Sequence, residues 1–465
     1  MPWCSRIESS INCRKQDDAS VFAKANRGKS RFGGRSPHCE AGLPGAQSLR
    51  DNTRRPTPHR MAAPADACRG IAVSGTKGDA DTMPSMASPA NMTERERFIA
   101  ALRFEKPDRV PFMPGHGRRS TLAAWRTQGL PADVTDYHAY VRTLIGLPPP
   151  EPHVPTPAID FRMIPWFEEK VIERRPGTLI VQDWKGNVCE ISDQYDVSYL
   201  RDAIDFVTRS WIRCPVESRA DWPDMARRYD PEDPRRLPAD LAVRGPALRD
   251  RRVPMGLSIS GPFWQLREWL GFENLCMLLI DDPDFCLEMI EFWRKFVARV
   301  LQRTFAHFVP DFVTINEDMA YKIKPMISPA MARRFLLPTW RCWADICRSA
   351  GVPIYDVDSD GYVGDLIPVW IDAGFNCNQP QEVAAGNDLP AYRRTYGTRM
   401  AYRGGVDKRK MAQGGQAIRD EIARLQPAID AGGVIPGCDH GVPADVSWPN
   451  FVEYCRLLAR ATGWI

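Results

Sequence analysis

From Met255 onward the chain repeats one beat: a short apolar run, a polar or glycine-rich turn, then an amphipathic stretch. The runs are residues 256–260, 312–316, 354–357, 375–378, 400–402 and 434–436. Between them lie helix-like stretches, among them 284–305, 329–350, 363–373 and 415–431. Short apolar runs bounded by turns suit strands covered on both faces, and their alternation with helices predicts a parallel α/β fold. Doubly wound sheets share that alternation. No GxGxxG follows a strand, however, which argues against a dinucleotide-binding sheet.

Upstream the pattern is less regular. Thr93 and Glu96 form a capping box ahead of Phe98, Ile99 and Leu102, which predicts a helix that Pro107 ends. Residues 110–113 read as a strand, and Trp125 and Leu130 belong to the next helix and its end. The proline-rich stretch 148–157 is a loop. Residues 178–183 and 187–191 alternate around Lys185-Gly186-Asn187, predicting a β-hairpin, with 206–213 a third strand beside it. This region reads as an insertion, not a domain. Residues 1–91 are rich in Arg, Ser, Ala, Gly and Pro without apolar periodicity, and are expected to be a disordered tail or a misplaced start before Met92.

Composition narrows the function classes. The net charge of +4 comes from residues 1–91, with 14 Lys and Arg against 8 Asp and Glu; residues 92–465 hold 48 against 50. The expected folded part is nearly neutral, so nucleic acid is not an expected partner. No apolar run is long enough for a transmembrane helix. The 13 cysteines are dispersed without a CxxC pair, which fits reduced thiols and a cytoplasmic location.

The candidate chemistry follows the predicted strands. Glu317, Asp318, Tyr321 and Lys322 come after one; Asp358 and Asp360 after the next; then Glu382, then Asp407 and Arg409, and last Cys438 and His440. Carboxylates gathered at one sheet end repel unless a metal, a basic partner or a raised pKa relieves them. The i, i+2 spacing of Asp358 and Asp360 puts both on one side of an extended segment. Asp358, Asp360, Cys438 and His440 are therefore the candidate ligands of Zn2+ or another divalent metal, and Asp318, Asp358, Asp360 and His440 the candidate catalytic groups. Early in the chain, His116, Arg118 and Arg119 could hold a substrate carboxylate. Glu317, Tyr321, Lys322, Glu382, Asp407 and Arg409 complete the expected substrate-binding set. Each alone also has a plainer reading as a helix cap or an inter-loop ion pair.

Several of these segments resemble the uroporphyrinogen decarboxylase superfamily: MTERERFIAALRFEKPDRVPF at 92–112, VDSDGYVGDLIP at 357–368, EVAAG at 382–386, YRGGVDKR at 402–409 and IPGCDHGVPADVS at 435–447. The resemblance spans Met92 to the C-terminus. It implies a (β/α)8 TIM barrel with its site at the C-terminal ends of the strands.

The superfamily holds cofactor-free decarboxylases of carboxylated tetrapyrroles and zinc-dependent methyltransferases that work with corrinoids. Where the decarboxylases carry an RQAGRY-like motif, this chain has His116-Gly117-Arg118-Arg119. Where the methyltransferases carry HxCG, it has Asp358-Ser359-Asp360-Gly361, and it keeps Cys438 of their second motif. The leading expectation is metal-assisted methyl transfer with a corrinoid as partner or substrate, borne on a corrinoid protein. The alternatives are decarboxylation without a cofactor, and a non-catalytic or differently specialised barrel. A homodimer is an expected assembly.

Overall fold

The computed structural model describes residues 92–202 and 209–465. The expectations for 1–91, and the 206–208 part of the third insertion strand, fall outside the described residues.

Six strands form one parallel sheet in the order β10-β9-β8-β7-β6-β5: β5 (Gly256–Ser260), β6 (Phe312–Asn316), β7 (Ile354–Asp358), β8 (Cys377–Gln379), β9 (Ala401–Val406) and β10 (Val434–Cys438). Each predicted run lies on or beside one of these strands. Alternation sorts their side chains. Val313, Ile315, Tyr355, Val357, Val434 and Cys438 face outward into the main core, under the helices Pro283–Phe305, Leu337–Ser349, Gln416–Asp430 and Trp448–Ala461. The opposite face is polar along its middle. The Asp356 carboxylate accepts from Thr314 Oγ1 at 3.1 Å, Gln379 Nε2 at 2.7 Å and Arg403 Nη1 at 3.1 Å.

The capped helix forms as the sequence predicts, over Glu94–Leu102, with both reciprocal bonds between Thr93 and Glu96. It places Phe98, Ala101 and Leu102 against Ile354, Cys377, Ala401 and Ile435, all at or near the N-terminal ends of their strands. That end of the sheet is therefore sealed with apolar contacts, and chemistry is left to the other end.

Two local expectations are corrected. Residues 110–113 do not form a strand. Pro111 and Pro114 lack the N–H groups a ladder needs. The segment still follows β10: Cys438 N donates to Pro114 O at 3.3 Å and Val442 N to His116 O at 2.8 Å. The helix expected over 329–350 is interrupted by a wide turn, Ala332–Leu336, before continuing as Leu337–Ser349. Pro338 cannot donate to the preceding turn, and the backbone widens there.

The insertion is larger than a hairpin. β1 (Lys170–Arg175), β2 (Thr178–Gln182), β3 (Val188–Ser192) and β4 (Arg209–Arg213) form an antiparallel sheet in sequence order. The predicted pairing of β2 with β3 holds, from Thr178 opposite Ser192 to Gln182 opposite Val188. No helix among the described residues is long and apolar enough to cross a membrane.

Candidate active site

The loops after β7, β8, β9 and β10 converge. Gly361 lets the first of them approach the loop after β6: its φ is +80°, and a Cβ there would lie 2.3 Å from Ala320 O. Asn387 ties the next loop in, donating to Gly361 O at 2.8 Å and Glu382 O at 2.9 Å. Its Oδ1 accepts from Val363 N at 3.1 Å.

At the centre His440 Nε2 lies 3.1 Å from Asp360 Oδ2, and Arg118 Nη2 lies 3.1 Å from His440 Nδ1. A guanidinium only donates, so Nδ1 must accept. The neutral ring then carries its proton on Nε2 and donates it to Asp360. The His440 side chain is 1% exposed and that of Asp360 15%, so the carboxylate is the member of the pair a substrate can reach.

Glu382 stands beside them. Donor atoms of Asp360, Glu382 and His440 all lie within 4.8 Å of one another. Glu382 accepts from Gly361 N and from Lys408 Nζ, each at 2.9 Å. Lys408 also lies 3.9 Å from Asp439, which is fully buried. Burial pushes the Asp439 carboxyl up to about 6, against the pull of the Lys408 charge. Burial would lower the Lys408 ammonium, but the charges of Asp439 and Glu382 outweigh it and hold the group above its ordinary value. Two cations, on Arg118 and Lys408, thus interleave with three carboxyl groups.

The remaining candidates lie elsewhere. Glu317 is wholly buried. It accepts from Phe263 N at 3.0 Å and Trp264 N at 3.2 Å, at the start of helix Pro262–Leu270, and from Trp340 Nε1 at 2.5 Å. Burial raises its carboxyl to about 8. This is a helix cap, not a substrate contact. Asp318 pairs with Arg267 at 3.3 Å, and Arg267 also donates to its carbonyl. Asp407 caps helix Lys408–Gln413 and accepts from both the backbone N–H and the guanidinium of Arg409.

Asp358 is half-buried at the end of β7, and its carbonyl accepts from the N–H groups of Glu317 and Asp318. Tyr321 and Lys322 are exposed, as is Arg119. His116 Nδ1 meets His138 Nε2 at 3.0 Å, so one imidazole donates to the other.

The expected metal set is not assembled as expected. Cys438 and Asp358 are outside the Asp360, Glu382 and His440 group. Cys438 faces the helical layer, and burial pushes its thiol up to about 12, so it is not poised as a thiolate. In the hydrogen-bonded arrangement His440 has no lone pair on Nε2, because Arg118 already occupies Nδ1. The residues present do not fit a thiolate zinc centre. Lys408, Asp439 and Asn387 were not singled out from sequence. Lys408 does follow Asp407 at a strand end, and Asp439 precedes His440.

No family profile matches the chain, and no curated protein matches it. Among solved structures it is similar to a methyltransferase from Methanosarcina mazei, at 15% identity and a TM-score of 0.45 over 80% of this chain and 99% of that one. It is also similar to a B12-independent methionine synthase from Shewanella sp. W3-18-1, at 10% identity and a TM-score of 0.34 over 48% of this chain and 66% of that one. Neither likeness is near enough to assign chemistry here.

Proposed function

We propose that the chain is an enzyme of the uroporphyrinogen decarboxylase superfamily, its sheet closed into a (β/α)8 barrel by segments such as 110–117, and that it transfers a methyl group to an oxygen or sulfur nucleophile. The carrying observation is the line Arg118–His440–Asp360. Arg118 fixes the imidazole, the Nε2–H of His440 donates a hydrogen bond to the Asp360 carboxylate, and Asp360 faces the substrate as a general base. The nucleophile's X–H proton passes to Asp360. The X–CH3 bond forms as the donor–CH3 bond breaks, and the donor departs with the electron pair. Asp360 then returns the proton to solvent. The carboxylate supplies the activation that a metal-bound thiol would otherwise obtain from the ion.

A corrinoid on a partner protein fits the donor role by the sequence resemblance. The 250 Å³ cavity beside the strand ends is too small to enclose a corrinoid, so its carrier would present it at the mouth. Assay of the full chain with methylcobalamin and a panel of thiols and phenols tests the reading. Turnover that Asp360→Asn reduces by about 10²–10³ supports it, and an unimpaired Asp360→Asn enzyme refutes it.

One observation favours a second reading. Asp360, Glu382 and His440 are grouped closely enough to share an ion. A divalent metal there requires Arg118 to release Nδ1. Elemental analysis giving one metal per chain, lost in His440→Gln, would select it. Cofactor-free decarboxylation needs cations turned toward substrate carboxylates, whereas Arg118 and Lys408 are turned toward His440 and Glu382.

A further inference from the structure

The cavity beside the strand ends has walls that the site above does not use. Ser258 and Ser260, on the polar face of β5, form part of its lining together with Phe161, Trp166, Trp184 and Trp264. Trp166 and Trp184 come from the insertion and meet with ring centroids 5.3 Å apart. Trp264 comes from the helix that Glu317 caps. Aromatic faces on several sides favour a flat ligand over a bulky aliphatic one, because ring stacking adds to area burial only for a planar partner.

The charged groups at this cavity are paired. Lys185 bonds Glu268, Arg162 bonds Asp160, and Arg201 bonds Glu169. A neutral ligand therefore meets no charge that lacks a counter-charge, whereas a carboxylate would be set beside Glu268 and the other acidic partners. Ser258 Oγ accepts from Asn316 Nδ2 at 2.7 Å, so its own hydroxyl hydrogen is available to a ligand oxygen.

The cavity also has a defined relation to the reacting centre. Ser260 lies opposite Asn316, and Asn316 opposite Asp358. Two strand spacings, about 10 Å, separate β5 from β7. A ligand of one or two rings lodged here can extend a substituent toward Asp360.

We infer that this cavity is the substrate-body subsite, and that it takes a neutral planar aromatic compound carrying a hydroxyl or thiol. The inference rests on the methyl-transfer reading above and names the class of methyl acceptor.

The test is calorimetric titration of the full chain with 2-naphthol and with its saturated counterpart 2-decalol. The expected result is saturable binding of about one 2-naphthol per chain, with 2-decalol at least about tenfold weaker. Trp166→Ala, at the partly exposed rim, and Trp184→Ala each weaken 2-naphthol about tenfold. Absence of 2-naphthol binding, equal affinity for the two probes, or unchanged affinity in both tryptophan variants overturns the inference. Binding is measured without turnover. Binding with no methyl transfer therefore sinks only the reaction assigned to Asp360, and methyl transfer to aliphatic thiols without 2-naphthol binding sinks only the subsite.

Discussion

His440 Nε2 and Asp360 Oδ2 stand 3.1 Å apart across 80 residues of sequence, on loops that follow two strands separated in the sheet by β8 and β9. The contact has a direction because Arg118 occupies the other ring nitrogen. Removing that guanidinium frees the tautomer. Arg118→Met is expected to lower kcat by about 10-fold to 100-fold with little change in KM, since it orients the base without touching substrate. Steady-state kinetics check this, and a KM effect alone would assign Arg118 to substrate binding.

Cys438 separates the proton-transfer account from a thiolate metal centre. It is 7% exposed, packs toward the helices and holds its proton well above neutrality. Cys438→Ala is expected to keep turnover within about threefold, as a small buried hydrophobe would allow. Loss of all activity, together with loss of bound metal, would return Cys438 to a ligand role.

Lys408 serves two carboxylates with one charge. Truncation to Met leaves Glu382 and buried Asp439 facing each other without a cation. Urea denaturation of Lys408→Met is expected to show a loss of about 3 kcal/mol, the usual consequence of stripping one partner from a buried ion pair. The double variant Lys408→Met with Asp439→Asn should recover part of it.

Glu317 makes stability depend on pH. Its folded carboxyl titrates near 8, against an ordinary value of 4.5, because burial penalises the charge. Between those values the folded state holds a proton that the unfolded state has lost. Its contribution to stability is therefore fully present below about pH 4.5, falls as pH rises toward 8, and levels off above. Urea midpoints of the parent should drop more from pH 5 to pH 8 than those of Glu317→Gln. Parallel slopes would show that Glu317 is ionised throughout.

What the sequence disclosed follows from what is local. The β5 to β10 runs were legible because the residues facing the helices are apolar and turn residues bound each run, and Thr93 with Glu96 announced a helix start within four residues. Residues 110–113 carried the apolar content of a strand, but Pro111 within them and Pro114 after them decided otherwise. Asp360, Glu382 and His440 were visible as polar residues after strands, and the folded loops bring them together. Glu317 and Asp407 bore the same mark and turned out to be caps. What distinguishes them is Trp340 and the N–H groups of Phe263 and Trp264 in one case and Arg409 in the other, and pairing of that kind depends on where the chain folds back. The orientation of Cys438 depends on strand phase, which a five-residue run does not fix.

The most direct test is the 15N spectrum of His440 near neutral pH, assigned by difference against His440→Gln. The account predicts a neutral ring with the proton on Nε2 and a hydrogen-bonded lone pair on Nδ1, a pattern lost in Arg118→Met. A ring protonated on Nδ1, or an Nε2 shift characteristic of metal coordination, would contradict it.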